Sequence, residues 1–262
     1  MSNPTPLVSI YITTFNRRLL LERALNSVLS QTYTNIEILI IDDASTDGTK
    51  EYVDKNFNDS RVQYFLLPEN KGACHARNIG INQAKGEFIT GLDSDDTFET
   101  WHIHALLLHF NSARSFICTT YSNSQDTSGI YNADDLIWEN IAGNQFFALR
   151  SRVQATLFDE HLESAQDLDI MLRLSLNFGA FEKFHNQSYV LDTSSSISRI
   201  STSNNKILGL RKFYSKHRGL MTNRQKFYWI ILLQKWQVRR LTVFFNALLS
   251  ILRPQKLLMK LS

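Results

Sequence analysis

The stretch GEFITGLDSDDTFE, residues 86–99, sets a β-rich apolar run directly before three carboxylates, Asp93, Asp95 and Asp96, crowded into four positions. A strand interior excludes unpaired charge, so these groups either lie on a solvated turn or share a cation. Asp and Ser also cap ordinary turns. The choice depends on what surrounds the stretch.

Upstream, short apolar runs alternate with amphipathic ones. LVSIYITT (7–14), IEILIID (36–42) and VQYFLL (62–67) read as buried strands. LLLERALNSVLSQ (19–31), with Leu21, Leu25, Val28 and Leu29 at helical spacing, and ACHARNIGINQAK (73–85) read as helices. Residues 43–57, DASTDGTKEYVDKNF, are turn chemistry leading into another helix. This is the pattern of βαβ units around a mostly parallel sheet. Each strand ends in a polar cluster, TTFNR, DDAS, PENKG or DSDD. In open α/β sheets ligands bind at the carboxyl ends of the strands, so these clusters are expected to converge.

Farther on, WHIHALLLHF reads as a helix, FICTTYS as a strand, and NSQDTSGIYNADD as a loop. SAQDLDIMLRLSLNFG (164–179) reads as a helix with Leu168, Met171, Leu172 and Leu176 inward and Gly179 as its stop. The Ser-rich residues 192–205 read as a mobile connector.

Composition supports a folded domain: of 262 residues, 43% are hydrophobic and 20% charged. Two cysteines, Cys74 and Cys118, without metal-ligand spacing, exclude a disulfide scaffold or structural zinc site and agree with a reducing cytosol. The first ten residues lack the basic and apolar regions of a secretory leader, and no uncharged apolar run reaches spanning length. A soluble or peripheral protein is expected.

The charge is divided along the chain. No Asp or Glu follows Asp192, whereas 14 of the 28 Lys and Arg do, so residues 1–192 carry −11 and the remainder +14. The tail mixes these cations with bulky apolar groups, including Trp229 and Trp236. Such a helix suits an anionic membrane surface; the alternative is a helical pair packed on the catalytic domain or on another subunit. No nucleic-acid module accompanies the positive charge, so a nucleic-acid partner is not expected.

The ordered set VSIYITTFNR, IIDDASTDGT, NKGACHARNIGINQAKGEFITGLDSDD and FDEHLESAQDLDIMLRL resembles the inverting family 2 glycosyltransferases, enzymes of nucleotide sugars with the GT-A fold. The resemblance covers about residues 7–180. It implies an α/β catalytic domain over 1–200, with 201–262 as a basic helical tail. It further implies that Thr13, Phe15 and Asp42, with Asp43 beside it, hold the nucleoside. Asp93 and Asp95 match the DxD motif, Asp95 as direct ligand to manganese or magnesium and Asp93 facing the ribose or metal-bound water. Asp96 is a competing ligand. A hard cation completed by phosphate oxygens is what a departing diphosphate requires. Arg77 either contacts the diphosphate or pairs with an acidic loop. Asp167, the second residue of the family's acidic helix motif, is the expected base for the acceptor hydroxyl; an N-terminal helix carboxylate would otherwise be explained by the helix dipole. The downstream RxHxxS-like segment of many relatives is replaced by VLDTSSSIS, and His185 does not align with it.

The expected reaction is transfer of glucose or galactose from a UDP-sugar to a GlcNAc- or GalNAc-diphospho-undecaprenol, in β-1,3 linkage, during assembly of O-antigen or another surface polysaccharide. The enzyme would sit peripherally on the cytoplasmic face of the inner membrane. A nucleotidyltransferase would want a Gly-rich basic loop that TTFNRR lacks. A non-catalytic nucleotide-binding or membrane-adaptor protein would not depend on Asp167.

Overall fold

The computed structural model describes residues 5–122, 124–192, 205–237 and 251–252. Four parallel strands form the half of the sheet that matters most: β1 (Val8–Thr14), β2 (Ile36–Asp42), β3 (Val62–Leu66) and β4 (Phe88–Asp93), in the spatial order β3-β2-β1-β4. All of β2 and nearly all of β1 are buried, as expected for strands covered on both faces. The crossovers are helices α1 (Arg18–Leu29), α2 (Thr49–Asn56) and α3 (Ala73–Gln83). Register then fixes the site: Thr13 lies beside Asp93 on one side and Ile41 on the other, and Thr14 beside Asp42. Three of the polar clusters therefore emerge side by side.

The second half of the sheet is mixed. It contains β5 (Thr97–Phe98), β6 (Ile117–Tyr121), β7 (Gly129–Tyr131), β8 (Phe147–Leu149) and β9 (Phe181–Val190). β8 runs antiparallel between β4 and β6, β9 lies parallel to β6, and β5 and β7 flank β9 antiparallel. Helices α4 (His102–His109), α5 (Ala133–Trp138), α6 (Arg150–Thr156) and α7 (Gln166–Phe178) cover this part. The stretch read as a loop before residue 135 in fact supplies β7 and the start of α5. There Asn132 caps the helix by accepting from the Asp135 amide, and Asp135 reciprocates toward Asn132. In α7, Leu168, Met171 and Leu172 are buried as expected, whereas Leu176 is exposed.

The basic tail begins as part of the body. Helices α8 (Asn205–His217) and α9 (Asn223–Gln237) bring Phe213, Met221, Tyr228 and Trp229 into the same apolar cluster as Leu168 and Phe181. Phe213 stacks on Trp229 at 5.1 Å, and the Trp229 indole donates to the Ile137 carbonyl at 2.8 Å. Trp229 is thus a core residue and not a membrane anchor: its ring is satisfied inside the protein, apolar body and polar N–H alike. This is the packed alternative of the sequence reading. The connector read over 192–205 lies, apart from its two end residues, outside the described residues, as do 238–250 and 253–262 with the tail's last cations.

A buried carboxylate fastens α8. Asp169 of α7 accepts from His217 Nε2 at 2.7 Å, Lys216 Nζ at 2.8 Å and Arg173 Nε at 2.8 Å. Burial alone would push this carboxyl up; the bonds from His217 and Lys216 and the charge of Arg173 outweigh it and hold it at about 2. Its folded value lies below the unfolded one, so its stabilisation is present above about pH 4 and is lost as pH falls toward 2. Asp169→Ala leaves buried His217 without this acceptor, while Arg173 keeps the Thr156 and Leu157 carbonyls and Lys216 keeps Asp159, and is expected to destabilise the fold by about 1–3 kcal/mol. The check is the urea midpoint, with wild type and variant converging at low pH.

Candidate functional site

A cleft of about 760 Å³ opens at the carboxyl ends of β1 and β4. It is lined by Thr13 and Phe15, by the turn from Asp93 to Asp96, by Ala165–Leu168, and by Lys206 and Leu210. Phe15 stands 43% exposed, held out by a specific turn. Asn16 takes a left-handed conformation at φ 51°, and its side chain accepts from the Thr46 amide at 2.8 Å while its own amide donates to Ser45 Oγ at 2.8 Å. An exposed aromatic presented this way is available to a flat ligand.

The two carboxylates after β2 separate. Asp43 lines the cleft and accepts from the amides of Lys71 and Gly72 at 2.9 and 2.8 Å, fixing the loop that starts α3. Asp42 is fully buried behind it, where it accepts from the Tyr64 hydroxyl and, at 2.7 Å, from the Ser45 amide. Of the two expected carboxylates, Asp43 is the one that lines the cleft, while Asp42 at the end of β2 turns inward.

The crowded aspartates are tolerated because each has its own donors. Asp93 accepts from Arg77 Nη2 and Asn144 Nδ2, both at 2.9 Å, one on each oxygen. Burial pushes its carboxyl up, but Arg77 and these bonds more than offset this and hold it below the usual range. Asp96 turns back into the protein, accepting from the Tyr189 hydroxyl at 3.0 Å and the Asp192 amide at 3.1 Å. Burial, then the charge of Asp93, raises it to about 6. Asp95 keeps its side chain toward the cleft, with Arg17 Nη1 at 3.6 Å, while its carbonyl accepts from Arg23 at 2.6 Å.

No group of three His, Cys, Asp or Glu side chains converges among the described residues. A chelating cage is thus not built from these residues. A hard cation that draws most ligands from water and phosphate needs only one or two carboxylates. Asp95 lines the cleft near Arg17, while Asp93 and Asp96 also accept hydrogen bonds from the protein.

Also lining the cleft, Ala165 adopts φ 58° immediately before α7, a costly conformation for a residue with a Cβ. It sets Asp167 in the first turn of the helix, directed at the cleft. Burial raises this carboxyl to about 6; Arg77 pulls it down only in part, and Asp93 adds to the rise. Arg77 joins the two sides, with Nη1 3.0 Å from Gln166 Oε1 and 3.6 Å from Asp167 Oδ1. Of the two expectations for Arg77, the pairing with acidic groups is the one observed.

Asn144 carries no sequence signal yet is central. Its amide nitrogen donates to Asp93 at 2.9 Å and lies 3.3 Å from both Asp96 and the Tyr189 hydroxyl, while its oxygen accepts from the Tyr121 hydroxyl at 2.7 Å. The preceding Gly143, at φ 82°, is required because a Cβ there would come 1.6 Å from the same hydroxyl. His185 lies away from the cleft, 3.6 Å from Asp126 Oδ1, and contributes nothing to it.

With this geometry in place, the comparisons are specific. The model of Glycosyl transferase family 2 matches residues 9–162. The Escherichia coli K12 protein named colanic acid biosynthesis glycosyl transferase WcaA is 35% identical over 263 residues, covering 94% of this chain and 93% of that one. The Campylobacter jejuni GalNAc(5)-diNAcBac-PP-undecaprenol beta-1,3-glucosyltransferase is 37% identical over 114 residues, 43% of this chain and 37% of its own length. Among solved structures, S. aureus TarS residues 1–349 in complex with UDP-GlcNAc superposes with a TM-score of 0.67 at 19% identity, covering 90% of this chain and 72% of that one. That likeness is one of fold, the GT-A arrangement of a mostly parallel central sheet.

Proposed function

We propose, from the premise that the chain belongs to glycosyl transferase family 2, that it moves a hexose from a nucleotide diphosphate donor to a lipid-linked sugar in the synthesis of a bacterial polysaccharide. The observation that carries this reading is that Asp95 and Asp167, from two separate segments of the chain, line one cleft of about 760 Å³. The names of the E. coli and Campylobacter relatives support polysaccharide synthesis and a lipid-diphosphate acceptor. The finer assignment is glucose or galactose from a UDP-sugar onto a GlcNAc- or GalNAc-diphospho-undecaprenol in β-1,3 linkage.

In this account Phe15 lies against the base, Thr13 and Asp43 take its polar edge, and Asp93 faces the ribose. Asp95 holds manganese or magnesium, which when bound offsets the charge gathering on the departing diphosphate. Asp167 accepts the acceptor hydroxyl's proton as that oxygen bonds to the anomeric carbon. The bond from that carbon to the diphosphate breaks, and its electron pair leaves with UDP. Arg77 keeps Asp93 and Asp167 at fixed separation.

Phe15→Ala removes a stacking face without unfolding anything, because the ring is 43% exposed. Stacking on a base is worth about 1–3 kcal/mol, so the UDP dissociation constant is expected to rise about 5- to 150-fold by calorimetry. The reaction itself is tested with radiolabelled UDP-sugars, a synthetic lipid-diphospho-N-acetylhexosamine and manganese. Label entering the lipid fraction from one donor, and lost with chelator, is expected; no label from any donor would refute the reading.

The site of action in this proposal is the cytoplasmic face of the inner membrane. No helix among the described residues is long and apolar enough to cross a bilayer. Instead, Leu220, Phe227 and Ile230 stand exposed on α9 and the turn before it, among Arg218, Arg224 and Lys226. Apolar groups between cations suit the headgroup region of an anionic leaflet.

A further inference from the structure

Arg77 is one buried cation shared among three acceptors. Its guanidinium carbon lies 5.1 Å from the centre of the Phe158 ring, and its two terminal nitrogens divide between the end of β4 and the first turn of α7. Nη2 donates to Asp93 Oδ1 at 2.9 Å. Nη1 donates to Gln166 Oε1 at 3.0 Å and stands 3.6 Å from Asp167 Oδ1. The neutral amide thus takes the short bond and the neighbouring carboxylate the long contact, although charge favours the reverse.

Gln166 is itself tethered. Its Nε2 donates to the Leu162 carbonyl at 2.8 Å, so the side chain is held at both ends, and its backbone follows Ala165, whose φ of 58° fixes where α7 begins. A tethered acceptor keeps Nη1 in place. Once that acceptor is gone, the carboxylate 3.6 Å away is the partner to which Nη1 turns.

The other groups around Asp167 stay as they are when residue 166 changes. Asp93 shares the same guanidinium and, like burial, disfavours the charged form of Asp167. Tyr11 on β1, Cys74 on α3 and Tyr121 on β6 also feel the Asp167 charge, but burial pushes all three up and they remain neutral. Besides Arg77, the charged side chains lining the cleft are Arg17, Asp43, Lys206 and the acidic turn.

We propose that Gln166 is a positioning residue that withholds the Arg77 guanidinium from Asp167 and so leaves Asp167 free to take a proton. This rests on the reading of Asp167 as the base for its part in transfer, but not for the contact itself. A full ion pair with arginine lowers an aspartate by about 1–3 pH units, because the cation favours the charged form. A base that works near neutrality is better served by an incomplete pair.

The test follows Asp167 both directly and through the reaction. Full-length protein with isotope-labelled aspartate carboxyl groups is titrated by NMR, the Asp167 signal being assigned by its loss in Asp167→Asn. Gln166→Met keeps the bulk of the side chain and removes the acceptor; it is expected to bring the Asp167 midpoint down by about one pH unit from about 6. Gln166→Glu keeps an acceptor of the same length for Arg77 and is expected not to lower it. Gln166 is half-buried, so both variants are expected to fold. With donor and acceptor present, the inflection of kcat/KM is expected to fall in Gln166→Met by the same amount as the midpoint. A residue that merely steadied α7 would change the urea midpoint and leave both titrations in place. An unchanged or raised Asp167 midpoint in Gln166→Met overturns the proposal, as does an equal fall in Gln166→Glu. If the midpoint falls in Gln166→Met while the inflection of kcat/KM does not, or while wild type transfers nothing, the withholding of Arg77 stands and the reading of Asp167 as the transferase base falls.

Discussion

Asp167→Asn is expected to lower the turnover of transfer by about 100- to 10,000-fold while leaving UDP affinity within about twofold of wild type. Asparagine keeps the shape of the side chain and removes the proton acceptor. The carboxylate lines the cleft and lies 3.6 Å from the Arg77 guanidinium, which also holds Asp93 of the acidic turn at 2.9 Å. Its burial also sets a pH dependence. A base acts only when deprotonated, and this one is raised to about 6, so kcat/KM is expected to climb as pH rises through about 6 and to level off above it. Asp96 is also raised to about 6, but Asp96→Asn is expected to keep the inflection and Asp167→Asn to lose it. If Asp167→Asn transfers at the wild-type rate, the proton goes elsewhere.

Asp95→Asn is expected to be nearly as severe, for a different reason. A cation stabilises charge on the leaving diphosphate by several kcal/mol, so losing it lowers the rate by about 100-fold or more. The variant is expected to need at least tenfold more manganese for half-maximal rate. Asp96→Asn is expected to shift that requirement little, since the Asp96 oxygens point to Tyr189 and the Asp192 amide. Manganese titration of the three proteins, read by electron paramagnetic resonance in the presence of UDP, separates them directly. Equal metal affinity in wild type and Asp95→Asn would remove Asp95 as the ligand.

The parallel half of the fold was legible because β1, β2 and most of β4 are buried and each strand ends in turn residues; β3, read as buried, is instead an edge strand with no fully buried residue. Period and punctuation therefore agree at every step from Val8 to Asp93. The converging polar clusters followed from that topology alone. The remaining strands were harder. β8 is three residues long, and β9, FEKFHNQSYV, carries polar groups on a mixed sheet, so neither shows a clean alternation. The Asp42 and Asp43 pair could not be ordered without the pleat, where a shift of one residue exchanges core for cleft. Asn144 acts through Tyr121, Asp93 and Tyr189, at sequence separations of 23, 51 and 45, and a one-dimensional pattern holds no trace of such contacts.

The tail shows a further limit of pattern reading. An amphipathic helix with aromatics and cations has the same sequence signature whether its apolar face meets lipid or protein. Here one helix carries both a buried and an exposed set of apolar residues. Tyr228 and Trp229 are buried against α5 and α8, while Phe227 and Ile230 remain exposed. The cations divide likewise: Lys212, Lys216 and His217 meet Glu163, Asp159 and Asp169, which accounts for part of the basic excess as internal pairing.

The central claim is that Asp167 drives a single displacement across the cleft from the diphosphate held above Asp95. The anomeric configuration of the product tests it most directly, because one displacement inverts the reacting carbon and two restore it. With an α-linked UDP-hexose as donor, proton NMR of the isolated product is expected to show a β-glycoside. An α-glycoside would contradict the account, since a single displacement does not retain the configuration.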